Sequence, residues 1–314
     1  MRVCAFVEPN RGATFDDQLR FAQHLEARGF AGFFRADHYQ TVGDGPGLPG
    51  PTDAWLTLGA IARETSTIRL GTLMSPTTFR LPGPLAIAVA QVDQMSQGRV
   101  ELGIGTGWYE REHRSYGIPF PSAGERVDRL VEQLDILTGL WSTPLGEHFQ
   151  HYGRYYEVIG SPALPKPAQL PRPPIIVGGR GTRRTPEVAA RYADEFNGAF
   201  QGVDETAQQY KRVIEAGERI GRAARGLPPI RFSIGIVAAC GRTESEARHR
   251  AAGLYERTAL PPEDPVIGTA EMLVDRIGQF EEVGATRVYL RIMDMMDLDH
   301  IDLIADRVLP ALEP

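Results

Sequence analysis

Residues 174 to 197, PIIVGGRGTRRTPEVAARYADEFN, hold one complete repeat of a fold. The apolar, β-branched run PIIVGG reads as a strand and RGTRR as its glycine-containing exit. TPEVAARYAD then reads as an amphipathic helix, and EFN opens the next strand. Strand, helix and strand in so short a stretch make a βαβ unit, whose strands run parallel. The alternation continues on both sides. Upstream lie VCAFVE (3 to 8), GFFRAD (32 to 37), IRLGTLM (68 to 74) and RVELGIG (99 to 105). Downstream, EFNGAF (195 to 200) is followed by FSIGIVAAC (232 to 240) and RVYLRIM (287 to 293). With PIIVGG these make eight strands, the number that closes a (β/α)8 TIM barrel. Helical faces stand out between them, as at Val127, Leu130, Val131, Leu134, Leu137 and Trp141. An open doubly wound sheet would carry a glycine-rich dinucleotide turn after its first strand, and residues 8 to 15 read EPNRGATF instead. The expected fold is therefore α/β, a single barrel domain over residues 1 to 314, with insertion segments at the loops.

Two insertions interrupt the pattern. Residues 39 to 52, YQTVGDGPGLPGPT, are rich in glycine and proline, and residues 142 to 173 contain an aromatic hairpin with Gly153 at its turn, then a proline-rich return. Each reads equally as a lid over a barrel mouth or as a solvated loop. With 42% hydrophobic and 24% charged residues the composition is that of an ordinary globular protein. A net charge of -6 disfavours nucleic acid and anionic membranes as partners, since both call for concentrated Lys and Arg. The start, MRVCAFVEPN, is neither a signal peptide nor a membrane span, so a cytoplasmic protein is expected. Cys4 and Cys240 lie in separate apolar strands without metal-ligand spacing and read as reduced core thiols.

Barrel chemistry belongs at the C-terminal ends of the strands. That selects Glu8, Asp37, His38, the stretch TLMSPTTFR, the stretch GTGWYEREH, the loop GGRGTRR, Asn197 and Gln201. In Gly178 to Arg184 the glycines admit a close ligand, and a helix start follows, presenting amides and the positive dipole end. Arg180, Arg183 and Arg184 could add charge to such a phosphate seat, although a glycine-rich turn can also be only a turn. Gly103 to Trp108 form a second such loop. Glu110 and His113 have the i, i+3 spacing of a ligand pair but no third ligand, so they read as solvated charges at a helix start and no metal is expected. His38 at a barrel mouth reads either as a proton donor or acceptor, or as a structural imidazole bonded to Asp37 or to backbone.

Taken in order, ADH ending strand two, LGTLMSPTTFR, RVELGIGTGWYEREHRSYGIPF, IIVGGRGTRRTPEVAARYADEFN and IGTAEMLVDRIGQFEEVGATRVYL resemble the luciferase-like oxidoreductases, and within them the coenzyme F420-dependent branch. The resemblance implies hydride transfer between F420 and a small-molecule substrate, with His38 as the catalytic residue. It implies a cofactor site of Asp37, Leu73, Met74, Thr106, Gly107, Trp108, Gly178, Gly179, Arg180, Gly181 and Thr182, in which backbone amides hold the phosphate. It further implies a non-proline cis peptide at Leu73-Met74 behind the ring, and a homodimer. Sugar-phosphate dehydrogenases of this branch have a glutamate where this chain has Trp108, which removes the basis for expecting sugar-phosphate oxidation. Three alternatives stand beside this: an FMN-dependent monooxygenase of the same fold, a non-catalytic flavin-binding barrel, and a metal-dependent hydrolase barrel.

Overall fold

The computed structural model describes residues 1–43, 47–252 and 265–312. Its eight barrel strands are β1 (Arg2–Val7), β2 (Gly32–Arg35), β3 (Arg69–Thr72), β5 (Val100–Gly105), β8 (Ile175–Gly178), β9 (Glu195–Gly198), β10 (Arg231–Cys240) and β12 (Arg287–Arg291). Each pairs in parallel with the next, and β12 pairs with β1 through Arg2↔Arg287 to Phe6↔Arg291, which closes the barrel. The short β4 (Ser75–Pro76) pairs with β5, and β11 (Val266–Gly268) with β10. The hairpin read around Gly153 is present as the antiparallel pair β6 (Phe149–Tyr152) and β7 (Glu157–Ser161). In the 39 to 52 insertion, residues 44–46 lie outside the described residues.

The helices between strands are α1 (Phe15–Ala27), α2 (Ala54–Glu64), α3 (Pro82–Met95), α4 (Glu110–Ser115), α5 (Ala123–Ser142), α6 (Arg184–Tyr192) and α7 (Val203–Arg219). Then follow α8 (Glu244–Arg250), α9 (Ala270–Glu282), α10 (Leu298–Arg307) and α11 (Leu309–Leu312). Sequence chemistry sets several boundaries. Thr14 and Asp17 form a reciprocal capping box on α1, and Asp53 accepts the amides of Trp55 and Leu56 to start α2. Among the described residues no helix is long and apolar enough to cross a membrane.

Strand alternation divides the core in two. Val3, Ala5 and Val7 of β1 belong to the large outer core between barrel and helices, whereas Cys4 and Phe6 join Phe34, Leu73, Ile176 and Tyr289 in a smaller inner cluster. Met74 and Phe200 pack against that inner cluster, beyond the ends of β3 and β9. At the opposite end of the strands Arg287 bonds Glu101 and the Tyr289 hydroxyl, and that hydroxyl donates to Glu195 at 2.6 Å. Both cysteines are buried and free, and burial pushes the Cys4 thiol up to about 12.

Candidate active site

Three residues past β2, His38 places Nδ1 2.8 Å from Glu112 Oε1, and the other carboxylate oxygen, Oε2, accepts the Tyr39 amide at 2.9 Å. Glu112 comes from α4 and is 1% exposed, while the His38 side chain is 14% exposed. Burial acts to lower the imidazole's pKa, but the hydrogen bond and charge of Glu112, helped by Glu8 and Asp37, more than offset it, and the net shift is upward from 6.5. The partner of His38 is thus Glu112, and neither Asp37 nor backbone. Asp37 is engaged elsewhere: its Oδ2 accepts from the Ser75 hydroxyl at 2.6 Å and from Arg80 at 2.5 Å, and Arg80 reaches on to Asp53. Asp37 is thus held by Ser75 and Arg80 at 1% exposure.

The expectation of solvated charges in YEREH holds for Glu110, which pairs with Arg114 outside, and fails for its neighbours. Glu112 and His113 are buried, because α4 turns one face inward beneath the loop that follows β5. His113 Nδ1 donates to the Tyr109 carbonyl at 2.8 Å, and Nε2 lies 2.7 Å from the Thr78 hydroxyl oxygen. Among the described residues no group of three or more His, Cys, Asp or Glu is arranged to hold a metal.

The Leu73-Met74 peptide is cis, as the resemblance implied. Met74 then extends between β5 and β8, where a Cβ at Gly178 would press on Met74 Cε and lie 2.7 Å from the Asn197 backbone carbonyl oxygen, which cannot give way, so glycine is required. Thr106 follows β5 at this rim. Gly107 beyond it adopts φ +73° and Gly179 adopts φ +136°, backbone that disfavours side chains. Among the described residues the amides of Gly107 and Trp108 in one loop, and of Gly181 and Thr182 in the other, donate to no protein acceptor. The second group runs into the N-terminus of α6, where the dipole is positive. Gln209 of α7 holds this loop by donating to the Gly181 carbonyl at 2.8 Å and to that of Gly179 at 3.3 Å.

Two of the three arginines expected to add charge there, Arg180 and Arg184, are engaged elsewhere, while Arg183 is exposed. Arg184 pairs with Asp128 and donates to the Gly124 carbonyl, Arg183 faces Glu187, and Arg180 donates to the carbonyls of Ala199 and Phe200. Asn197 turns inward to Ser233, and Glu8 is held by Arg11 and Arg291. Trp108 stands 51% exposed with its ring edge-on to His38 at 5.8 Å. Glu112 and Arg80 lie in rim stretches the sequence singled out but without a role of their own there, and Gln209 was outside them. Glu112 had a signal, an acid in a rim segment opposite a histidine; Gln209, mid-helix and far along the chain, had none.

Residues 2–266 match the family model described as luciferase-like monooxygenase. An F420-dependent glucose-6-phosphate dehydrogenase of Microbacterium testaceum is 34% identical over 183 residues, 58% of this chain and 52% of the relative. An F420-dependent hydroxymycolic acid dehydrogenase of Mycobacterium tuberculosis is 29% identical over 258 residues, 80% of this chain and 66% of the relative. The crystal structure of the monooxygenase RslO1 from Streptomyces bottropensis superposes with a TM-score of 0.84 at 21% identity, over 100% of both chains.

Proposed function

The chain belongs to the luciferase-like monooxygenase family, and from that premise we propose that it is a coenzyme F420-dependent oxidoreductase transferring a hydride between the deazaflavin and a small organic substrate. The observation that carries this is the juxtaposition at one barrel rim of a carboxylate-held histidine, a cis Leu73-Met74 bulge, and two loops with unclaimed amides. Relatives at 29% and 34% identity described as F420-dependent dehydrogenases support the cofactor. When bound, F420 supplies or accepts the hydride. The amides of Gly107, Trp108, Gly181 and Thr182 would hold its phosphate, with Thr106, Gly178, Gly179 and the Arg180 backbone shaping the cradle and Leu73 and Met74 lying behind the ring. Asp37 would support that wall through Ser75. His38 would give a proton to, or take one from, the substrate oxygen. Trp108 beside His38 presents an aromatic wall where a sugar phosphate would need polar partners, which favours a less polar substrate.

We assign the whole chain to one barrel domain and expect a cytoplasmic homodimer. Exposed apolar side chains on α2 and around the start of α3, Leu56, Leu81 and Ile87, favour self-association, which light scattering tests. The cofactor assignment is tested by titrating purified protein with F420 and with FMN while following cofactor fluorescence. Tight quenching by F420 with weaker FMN binding is the expected result. Tighter FMN binding with oxygen-dependent turnover would reverse it in favour of a monooxygenase.

A further inference from the structure

Both oxygens of Glu112 grip consecutive residues of the segment after β2, one the His38 ring and the other the Tyr39 amide. Such a two-point hold fixes the imidazole's position and its ring orientation together. The helix that carries the carboxylate is itself pinned, because buried His113 ties α4 to the Tyr109 carbonyl and to Thr78. The rings of Trp108 and Tyr109 close in edge-on at 5.8 and 6.3 Å. Among the described residues nothing receives His38 Nε2, and that atom is not sealed from solvent.

We propose that Glu112 is the positioning residue of the reaction: it clamps His38 through Nδ1–H, so that Nε2 is the proton-bearing atom offered to the substrate oxygen. The proposal rests on His38 acting as the proton donor. In the reducing direction the Nε2–H bond breaks as the substrate O–H bond forms, the electron pair remains on Nε2, and the ring regains a proton from water. Oxidation runs the same transfer in reverse, and Nδ1–H stays with Glu112 throughout. The charged groups around the ring are Glu112 from α4, Glu8 beyond β1 and Asp37 on its own segment, with the Tyr109 phenol on the loop after β5. Glu8 and Asp37 are already engaged by arginines, which leaves Glu112 as the carboxylate that sets the ring's proton.

Glu112→Gln gives a discriminating test because of its donor count. One amide oxygen cannot serve both Tyr39 N–H and His38 Nδ1–H in the present geometry. The stable arrangement gives the oxygen to Tyr39 and the NH2 to a bare Nδ1, which moves the proton of the neutral ring to Nε2. The experiment is 15N NMR of the histidine rings in the cofactor-free full chain, with His38 assigned by its loss in His38→Asn. The wild type should show an Nδ1–H tautomer and a raised midpoint. Glu112→Gln should show the Nε2–H tautomer and a midpoint lower by about one pH unit or more. An unchanged tautomer and midpoint in folded Glu112→Gln would overturn the clamp. Should that variant be insoluble, Glu112→Asp keeps the charge but cannot reach both atoms and should give an intermediate midpoint; a wild-type value there would overturn it equally. With F420 and a turned-over substrate, the pH profile of Glu112→Gln should move the same way while cofactor affinity stays within about twofold. The NMR measurement contains no cofactor. A failed F420 titration therefore sinks the functional assignment alone, and a failed tautomer switch sinks the clamp alone.

Discussion

His38 sits where burial opposes its charge, and Glu112 decides the outcome. Removing the imidazole should therefore affect chemistry more than binding: His38→Ala is expected to lower turnover by about 10²- to 10⁴-fold with F420 affinity nearly unchanged. Single-turnover hydride transfer and melting temperature, measured on both proteins, separate this from a structural histidine, whose rate defect would follow the unfolded fraction. The pairing also sets a pH dependence of stability. Because the folded pKa is raised above 6.5, the His38–Glu112 contribution is fully present below that value and is lost as pH rises through the folded value. The melting-temperature gap between wild type and Glu112→Gln should thus be widest in mildly acidic buffer and narrow toward alkaline pH; a gap that widens with pH would contradict the assignment.

Among the elements, the loop into α6 shows how a short segment becomes a binding surface. Gly179 at φ +136° turns the chain ahead of the Gly181 and Thr182 amides, which meet no acceptor among the described residues, while Gln209 occupies the carbonyls of Gly179 and Gly181. Gly179→Val is expected to weaken F420 binding in a protein that still folds. The reason is mainly the backbone conformation, since a Cβ there would meet only Thr185 at an ordinary 3.6 Å. Gln209→Leu removes two hydrogen bonds of roughly 0.5 to 1.5 kcal/mol each. It should loosen the loop and reduce affinity by about tenfold; wild-type affinity in fluorescence titration would take Gln209 out of the site's support. The strand-turn-helix order of this unit was readable from PIIVGGRGTRRTPEVAARYAD, because apolar runs, glycines and helical periodicity are local signals. The partners of Arg180 and Arg184, the Ala199 and Phe200 carbonyls and Asp128, lie on other elements and leave no local signal.

Across the whole molecule the barrel separates stability from chemistry along its axis. Its N-terminal end is closed by Arg287, Glu101, Glu195 and Tyr289, all buried, and its C-terminal end carries His38 and the amide loops. Tyr289→Phe deletes a hydroxyl that donates to Glu195 and accepts from Arg287. It should lower stability by about 1 to 3 kcal/mol in denaturant unfolding, with F420 affinity unchanged. A parallel loss of cofactor binding would mean that the two ends are coupled.

Sequence alone determined the alternation of eight strands with helices, the rim positions of His38, Gly107 and Gly179, and, through family resemblance, the Leu73-Met74 peptide, because each is written in local composition or in a contiguous motif. Tertiary structure alone decided which acid holds His38, which groups take up Asp37, Arg180 and Arg184, and what supports the Gly178 to Thr182 loop. Those choices join residues 74 apart for His38 and Glu112, and about 30 for Gln209 and its loop. Such pairings depend on how strands register and helices dock around the closed barrel, and no periodicity along the chain records that.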